Sequence, residues 1–396
     1  DILVYNEKVD KYDLYEVKSS TASEDKGGRK TKDYIIDIAF QLNVIDIPIN
    51  KSYLIRLNKE YIRLGSVNLD KLFLIEDLTE QVNKVLEDVK GEMEASHYYL
   101  SQEQEPKGNC DCIIKGLNGH CATSPYSNDN LPEYPVHAIS RIHKNKLIDL
   151  VDNNILSIYD IPEDFKLSEN QRRQVDTAQT NREKINREGL AEFLNTINYP
   201  ISFIDYETFP SAIPKFDNYK PYQQIPFQFS LHIKESPNSE IEHYEHLHID
   251  NSSPDEGFYS KLRELLPSSG SIVVWNKKFE CGINKQLVER LPACSDLMND
   301  FENRVVDLMV PFYGKTNVYD HPGFRGSASI KAVLPVLVSE LSYKELNIQE
   351  GGTASDSWNR MILGEYDIEK TSVDLREYCK LDTLAMVKIW EVLIQK

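Results

Sequence analysis

Residues 201–208 read Ile201-Ser202-Phe203-Ile204-Asp205-Tyr206-Glu207-Thr208, an apolar run that holds two acidic residues. Its length and its branched and aromatic side chains predict a buried strand. Because side chains alternate between the two faces of a strand, Asp205 and Glu207 are predicted to share one face. Two adjacent buried carboxylates repel each other unless a cation lies between them, and a divalent metal with oxygen ligands is the expected cation. The alternative is a structural pair that caps a turn before Pro210.

The length and charge of the chain narrow the class of protein. Its 396 residues can form two or three domains. The net charge of −18 argues against a surface coated with basic residues for nucleic acid, although a local basic groove stays open. The sequence has no apolar run of 18 residues and no secretory signal, so we expect a soluble, cytoplasmic protein without a membrane partner. It begins at Asp1 inside a predicted strand, which suggests a shortened amino terminus.

The order of predicted elements indicates an α/β fold class. Residues 1–100 alternate strands with helices, the latter predicted over Lys32–Val44 and Leu74–Glu94. Residues 101–135 are rich in Gly, Asn, Pro and Cys and are predicted to be irregular. Residues 136–198 form a helical connector, with one polar helix over about 168–197. Residues 199–396 begin with strands and continue as alternating helices and a strand, ending in a long helix.

Three more residues of the last domain can join the acidic pair. Glu280 follows the strand Ile272–Trp275 at the start of a helix. Tyr378 and Asp382 are spaced i, i+4 on the final helix and therefore share a face. Four carboxylates and one phenol suit two-metal phosphoryl transfer with Mg²⁺ or Mn²⁺, in which Asp205 bridges the ions and Tyr378 orients the attacking water. Asp307 is a competing ligand that is more typical of a structural role.

At these residues the chain resembles the DEDD exonucleases of the RNase H-like fold. FIDYET (203–208), WNKKFE (275–280) and YCKLD (378–382) match the family's three motifs in order, and the Tyr-x-x-x-Asp form is that of its tyrosine subclass. Glu280 stands where the family more often has Asp. The resemblance covers about 199–396. It implies a mixed sheet flanked by helices, metal ligands at Asp205, Glu207, Glu280 and Asp382, and 3′–5′ exonuclease activity.

A second motif lies in the amino-terminal part, where Glu16 and Lys18 of EVKSS share a strand face. Alone, this spacing is typical of a solvated charge pair. Together with the following helix, the segment resembles the RecB-like branch of the PD-(D/E)XK nucleases. The resemblance implies a partial nuclease domain over 1–100, with Asp1 and Glu16 as metal ligands, Lys18 as the catalytic lysine and Gln41 as the helix glutamine.

Cys110, Cys112 and Cys121 are clustered in the irregular region, whereas Cys281, Cys294 and Cys379 are scattered and predicted to be core thiols. Six cysteines in so long a chain do not indicate a disulfide framework. Related RecB-like nucleases carry a 4Fe-4S cluster, and that resemblance implies such a cluster at 101–135. A zinc site with His120 as fourth ligand and three free thiols are the alternatives.

The sequence therefore predicts a metal-dependent nuclease that acts on nucleic acid, DNA rather than RNA. Lys331, at a helix start after a Gly-rich loop, is a candidate substrate contact. The combination of two nuclease regions resembles an uncharacterised bacterial family, and a role in DNA repair or defence is an analogy. Two alternatives are a non-catalytic nucleic-acid-binding or scaffold protein and a small-molecule phosphohydrolase.

Overall fold

The computed structural model describes residues 1–22, 31–104, 110–314 and 317–396, and it confirms a mixed α/β protein. The strands are β1 (Ile2–Asn6), β2 (Lys11–Ala22), β3 (Ile49–Asn58), β4 (Phe73–Asp77), β5 (Lys184–Ile185), β6 (Ile201–Pro210), β7 (Gln224–Lys234), β8 (Ile241–Leu247), β9 (Ser271–Val274), β10 (Val305–Asp307) and β11 (Tyr319–Asp320). The helices are α1 (Thr31–Val44), α2 (Leu69–Leu72), α3 (Thr79–Leu100), α4 (Ser124–Ser127), α5 (Lys144–Asp152), α6 (Glu169–Thr180), α7 (Arg187–Leu194), α8 (Asp255–Leu265), α9 (Lys277–Arg290), α10 (Ser295–Arg304), α11 (Ile330–Leu337), α12 (Gly351–Ile362) and α13 (Ile368–Leu393). None of the helices in the described ranges is both long and apolar enough to traverse a bilayer.

The chain divides into two compact units, and the first combines Asp1–Lys107 with Pro210–Gln224. Its sheet has the order β1-β2-β3-β4, in which β2 and β3 are parallel and the outer pairs are antiparallel. The 210–224 segment joins this unit through Arg63, whose backbone N–H donates to the carbonyl of Tyr219 and whose carbonyl accepts from Asn218. The first unit is therefore built from two separate stretches of sequence.

The predicted helix Leu74–Glu94 is wrong at its start. Phe73–Asp77 forms strand β4, which pairs with β3, and α3 begins only at Thr79. The backbone N–H and the hydroxyl of Thr79 both bond the carboxylate of Asp77, at 3.1 and 2.6 Å, and this turn separates the strand from the helix. Five residues of strand adjoining a long helix give too short an alternation to recognise in the sequence.

The second unit combines Gly108–Phe209 with Ile225–Lys396. Its main sheet has the order β10-β9-β6-β7-β8, with β6, β9 and β10 parallel and β7 antiparallel to β8. On one face, Ile201 and Phe203 of β6 pack with Met386 and Trp390 of α13. On the other face, Ile204 and Tyr206 pack in a separate cluster with residues of α8, α9 and α10. The alternation along β6 therefore directs residues 205 and 207 toward the α13 side.

The connector over about 168–197 is two helices rather than the one predicted. Helix α6 begins with a capping box at Ser168 and ends at Asn181, whose φ of 50° is left-handed. Strand β5 then pairs with β11 before α7 begins at Arg187. The stretch is polar throughout, so no change in its apolar pattern marked the end of α6 or the short strand β5 in the sequence. Residues 136–198 and the three clustered cysteines belong to the second unit, whereas residues 101–107 of the predicted cysteine region belong to the first. Val136, Leu147, Ile158 and Val175 form a small core of their own.

Candidate functional site

Asp205 and Glu207 lie on the same face of β6, as the alternation in the sequence predicts, with Asp205 in the middle of the strand. One carboxylate oxygen of each lies within 4.8 Å of the other. Burial raises the pKa of both carboxyl groups well above their ordinary values, and repulsion from Asp382 adds to the effect on each. Both side chains are thus costly to ionise as they stand.

Glu280 and Asp382 extend this acidic centre from two helices. Glu280 lies in the first turn of α9, and Asp382 lies in the middle of α13. Both add repulsion that raises the pKa of Asp205, after the larger effect of burial. Glu280 is 2% exposed, its Oε2 atom has no hydrogen-bond partner among the described residues, and burial raises its pKa to about 8. The structure thus brings together the four carboxylates that the sequence pointed to.

Asp307 lies beside this centre, and its carboxylate binds the main chain of neighbouring residues. Its two carboxylate oxygens accept backbone N–H groups, one from Lys277 at 3.1 Å and one from Met309 at 3.0 Å. The first of these bonds holds the start of α9, the helix that carries Glu280. Asp307 therefore positions an element of the site, and each of its oxygens keeps a further lone pair.

Two tyrosines contact Asp382, and the sequence singled out only one of them. Tyr343 donates a hydrogen bond of 2.6 Å to Oδ1 of Asp382, and Tyr378 also donates to this carboxylate. Burial, with added repulsion from Asp382, raises the pKa of both phenols far above their ordinary value. Both therefore stay protonated and act as donors. Tyr343 lies in a short turn between α11 and α12 with no motif around it, so no local pattern could have identified it.

Lys331, at the start of α11, supplies positive charge near the acidic centre. Its Nζ lies 5.5 Å from the ring centroid of Tyr343 and 5.8 Å from that of Tyr378, and it donates to the carbonyl of Gln349 at 2.7 Å. Its charge partly offsets the effect of burial on the pKa of Glu207 and Asp382. An open depression of about 530 Å³ borders it, lined by Lys331, Asn347, Gln349, Glu350 and Thr353. The lysine predicted to contact substrate thus lies beside the two tyrosines of the site and borders this depression.

Cys379 is also part of this centre, although the sequence suggested an ordinary core thiol. Its Sγ lies within 4.8 Å of carboxylate oxygens of both Asp205 and Glu207. The residue is completely buried, and burial followed by repulsion from these acids raises the pKa of its thiol. The only signal available was its place directly after Tyr378 in YCKLD.

The residues expected in the amino-terminal motif also come together. Glu16 is buried and accepts from the side-chain amide of Gln41 at 2.6 Å. Lys18 forms ion pairs with Glu16 and, at 2.6 Å, with Asp37. Burial lowers the pKa of Lys18, but the hydrogen bonds to these two acids outweigh it, and the net pKa is raised. The Asp1 carboxylate accepts from the backbone N–H of Val17 at 2.9 Å, so it is engaged by the strand.

Cys110, Cys112 and Cys121 form a compact thiol cluster whose three sulfur atoms lie within 4.8 Å of one another. The Sγ atoms of Cys112 and Cys121 are 3.4 Å apart. Hydrogen bonds from Thr123 and Cys112 lower the pKa of Cys121 to about 7. Three converging sulfur atoms, one of them readily ionised, are suitable ligands for a thiophilic metal.

His120 is poorly placed to be a fourth ligand. Its Nε2 lies 2.9 Å from the carbonyl of Lys115 and must carry the proton in that contact. Its Nδ1 lies 3.1 Å from the hydroxyl of Ser124. A histidine ligand needs one ring nitrogen with a free lone pair, and here both nitrogens are engaged by the protein.

Comparison with other proteins gives a partial match. A family described as a domain of unknown function, DUF2779, matches residues 202–329. Two distant relatives are uncharacterized protein MG366 of Mycoplasma genitalium, 27% identical over 215 residues, and the MG366 homolog of Mycoplasma pneumoniae, 26% identical over 216 residues. Each alignment covers 47% of this chain and 31% of the relative, so the chain spans about a third of their length. No solved structure matches the chain.

Proposed function

We propose that the second unit is a divalent-metal-dependent 3′–5′ exonuclease of the DEDD type, with an RNase H-like fold, that acts on DNA in preference to RNA. The observation that carries this proposal is the convergence of four carboxylates from three elements. Glu207, Glu280 and Asp382 are buried, and Asp205 is partly exposed. Within the described ranges, none of the four forms an ion pair with a protein cation. Buried carboxylates without such a partner favour protonation or a metal ion.

The donor set fits Mg²⁺ or Mn²⁺. Carboxylate oxygens are the ligands that these hard cations take. The Oε2 atom of Glu280 has no hydrogen-bond partner in the part of the chain that the structure describes, so it is one such ligand. When bound, such ions make water a stronger nucleophile at neutral pH and stabilise negative charge on phosphoryl oxygens. Asp205, Glu207, Glu280 and Asp382 would hold them.

The remaining residues of the site have roles of their own in phosphodiester hydrolysis. Tyr378 stays protonated throughout the neutral range and donates its one O–H to Asp382. Its oxygen orients the attacking water by accepting a hydrogen bond from it rather than by removing its proton. Tyr343 holds the carboxylate of Asp382 in a fixed orientation. Lys331 reaches toward the open side of the centre, where it contacts a phosphoryl oxygen of the substrate as a point charge.

A cleavage assay with labelled oligonucleotides tests the proposal. Single-stranded and duplex DNA and RNA, labelled at either end, are incubated with Mg²⁺ or Mn²⁺ and with wild type, Asp205→Asn or Glu377→Gln. Glu377 is an exposed acid on the same helix as Asp382 and is the matched control. We expect stepwise loss of 3′ nucleotides by wild type and Glu377→Gln, and none by Asp205→Asn. Binding of nucleic acid without cleavage would instead favour the non-catalytic scaffold alternative. Hydrolysis of small phosphate esters alone would favour the small-molecule phosphohydrolase alternative.

For the first unit we propose a partial PD-(D/E)XK fold whose motif residues support structure rather than turnover. Lys18 is held between two carboxylates, and this arrangement neutralises the group that would otherwise approach a phosphate. The contact of Gln41 with Glu16 supports the family assignment, because it joins the helix glutamine to the strand acid.

For Cys110, Cys112 and Cys121 we propose a 4Fe-4S cluster in preference to zinc. The compact sulfur triad supports a thiophilic group, and the engaged ring nitrogens of His120 argue against the Cys₃His zinc alternative. Iron, sulfide and zinc analysis of anaerobically purified protein distinguishes the two. A colourless, iron-free preparation would contradict the cluster.

A further inference from the structure

The acidic centre contains one donor that is chemically unlike the others, the thiol of Cys379. It is 0% exposed and belongs to the group in which one carboxylate oxygen of Asp205, one of Glu207 and this Sγ all lie within 4.8 Å of one another. Its Sγ also lies 3.9 Å from the backbone carbonyl of Asp205. The sulfur is thus fixed between α13 and β6, on the side of the strand where the carboxylates lie.

These three atoms lie close to the spacing of a small metal site. Zinc lies about 2.3 Å from a thiolate sulfur and about 2.0–2.2 Å from a carboxylate oxygen, so two such ligands at a tetrahedral angle are about 3.5 Å apart. The three donor atoms lie within 4.8 Å of one another. To bind one ion, each donor atom therefore has to move by about 1 Å or less, a distance that rotation about side-chain bonds can supply.

The chemistry of the donors differs between metals. Mg²⁺ takes oxygen and leaves a thiol protonated, so Cys379 remains a neutral neighbour when a hard cation is bound. Zn²⁺, Co²⁺ and Cd²⁺ take sulfur readily, and a thiolate ligand adds both affinity and selectivity. A buried cysteine inside a site for hard cations therefore makes the site respond to two different classes of metal.

We propose that Asp205, Glu207 and Cys379 form a second metal-binding mode, selective for thiophilic divalent cations, within the same centre that the nuclease proposal assigns to Mg²⁺ or Mn²⁺. The inference rests on that proposed centre. On binding, the S–H bond of Cys379 breaks, a sulfur–metal bond forms, and the proton passes to solvent; no electron is transferred. A thiophilic ion bound in this way occupies Asp205 and Glu207, two of the ligands for Mg²⁺ or Mn²⁺. It therefore prevents the two hard cations from binding and blocks hydrolysis.

Cobalt titration of the metal-free, full-length chain tests this mode directly, since a thiolate bound to Co²⁺ gives a charge-transfer band in the near ultraviolet. The thiol cluster at residues 110–121 would contribute such bands as well. The titration is therefore made with Cys110, Cys112 and Cys121 replaced by Ser, and in parallel with the wild-type chain. Cys379→Ala is compared with Cys294→Ala, a matched control that removes another fully buried thiol, one outside the acidic centre.

We expect the Cys379→Ala chain to lose the absorbance of one cobalt–sulfur bond and to bind Co²⁺ at least about tenfold more weakly. Cys294→Ala should keep the absorbance and the Co²⁺ affinity of the chain with cysteine at position 294. Asp205→Asn should weaken the same band with every thiol still present, which keeps the test valid if Cys379→Ala fails to fold. A band unchanged in both Cys379→Ala and Asp205→Asn would overturn the inference.

The result is separable from the nuclease assay. If the cobalt–thiolate band depends on Cys379 but the chain has no nuclease activity, the second metal-binding mode is supported and only the exonuclease proposal is contradicted. Active enzyme without such a band overturns only the second mode. In active enzyme we also expect Zn²⁺ added to a Mg²⁺-driven reaction to inhibit wild type at a concentration about tenfold lower than it inhibits Cys379→Ala.

Discussion

The phenol of Tyr343 donates a hydrogen bond of 2.6 Å to Oδ1 of Asp382, so a turn between α11 and α12 fixes the orientation of a carboxylate carried by α13. The ring of Tyr343 also lies 6.1 Å from that of Tyr378 and below the ammonium of Lys331. Helix α13 thus supplies the acid, and a residue distant in sequence keeps it in place.

Tyr343→Phe is expected to lower nuclease activity by about 10- to 100-fold, because a hydrogen bond to a charged group contributes about 1.5–3 kcal/mol. The loss should come with a higher Mg²⁺ concentration for half-maximal rate and an unchanged KM for the oligonucleotide. Tyr378→Phe should also raise the Mg²⁺ requirement, because Tyr378 donates to the same carboxylate, and it should lower kcat further than Tyr343→Phe, because we assign Tyr378 to the water as well. If Tyr343→Phe and wild type need the same Mg²⁺ concentration, Tyr343 does not orient the metal-binding carboxylate of Asp382.

Stability should depend on pH through Glu280. Burial raises the pKa of this carboxyl from 4.5 to about 8, so the folded chain holds the proton more tightly than the unfolded chain. Its contribution to the free energy of unfolding is fully present below about pH 4.5 and is lost as the pH rises to about 8. In metal-free protein, thermal denaturation across this range should show a smaller decline for Glu280→Gln, which cannot ionise, than for wild type.

Glu377→Gln is the control for that pH series and should decline as wild type does. Added Mg²⁺ should raise the melting temperature of wild type more at the alkaline end than at the acidic end, since the metal must displace the bound protons. Equal slopes for Glu280→Gln and wild type would show that this carboxyl is already ionised in the folded chain.

Lys331→Met should weaken substrate binding without abolishing hydrolysis. Each phosphate contact to single-stranded nucleic acid contributes about 0.7 to the slope of log affinity against log salt. The variant should therefore lose about that much of the slope, measured by fluorescence anisotropy in Ca²⁺ to prevent cleavage. Lys344→Met, which removes an exposed lysine of the neighbouring turn, should keep it. A slope unchanged in Lys331→Met would exclude a phosphate contact.

The thiol cluster should lose its metal when its buried member is replaced. We expect Cys112→Ser to purify without bound iron and His120→Ala to retain it, because the histidine nitrogens are engaged elsewhere. Elemental analysis of both variants beside wild type makes the comparison. Bound zinc that disappears in His120→Ala would restore the zinc alternative.

Lys18→Met should leave the exonuclease rate within about twofold of wild type, because the proposed activity belongs to the second unit. The variant should lose more than about 1 kcal/mol of stability, because it breaks a partly exposed contact with Asp37 and leaves the buried Glu16 without its lysine. Cleavage that depends on Lys18 but survives Asp205→Asn would instead reveal an active amino-terminal site.

The sequence predicted the elements with strong periodicity and missed those that depend on tertiary closure. Strand β6 and helix α13 were predicted because their apolar residues repeat over many positions. The spacing of Asp205 and Glu207 predicted which face of β6 carries the acidic residues. Strand β4 and the break at Asn181 went unrecognised because each depends on a single turn. Local pattern is a weak guide where a short segment is stabilised by its partner.

The candidate site shows the same limit. Asp205, Glu207, Glu280, Tyr378 and Asp382 could be grouped because each lies in a recognisable motif. Tyr343 and Cys379 could not, since one lies in a turn without a motif and the other looks like any buried thiol. Their importance arises only when α11, α12 and α13 fold against β6, and no short window of sequence contains that information.

The way the first unit is assembled has a consequence for how this protein can change over generations. The chain passes from one unit to the other after residues 107, 209 and 224, and the last two crossings border the segment that Arg63 binds. A deletion of residues 1–107 alone would leave residues 210–224, which follow the acidic strand β6, without the rest of their unit. Removal of the whole first unit therefore takes two separate deletions, one of residues 1–107 and one of residues 210–224.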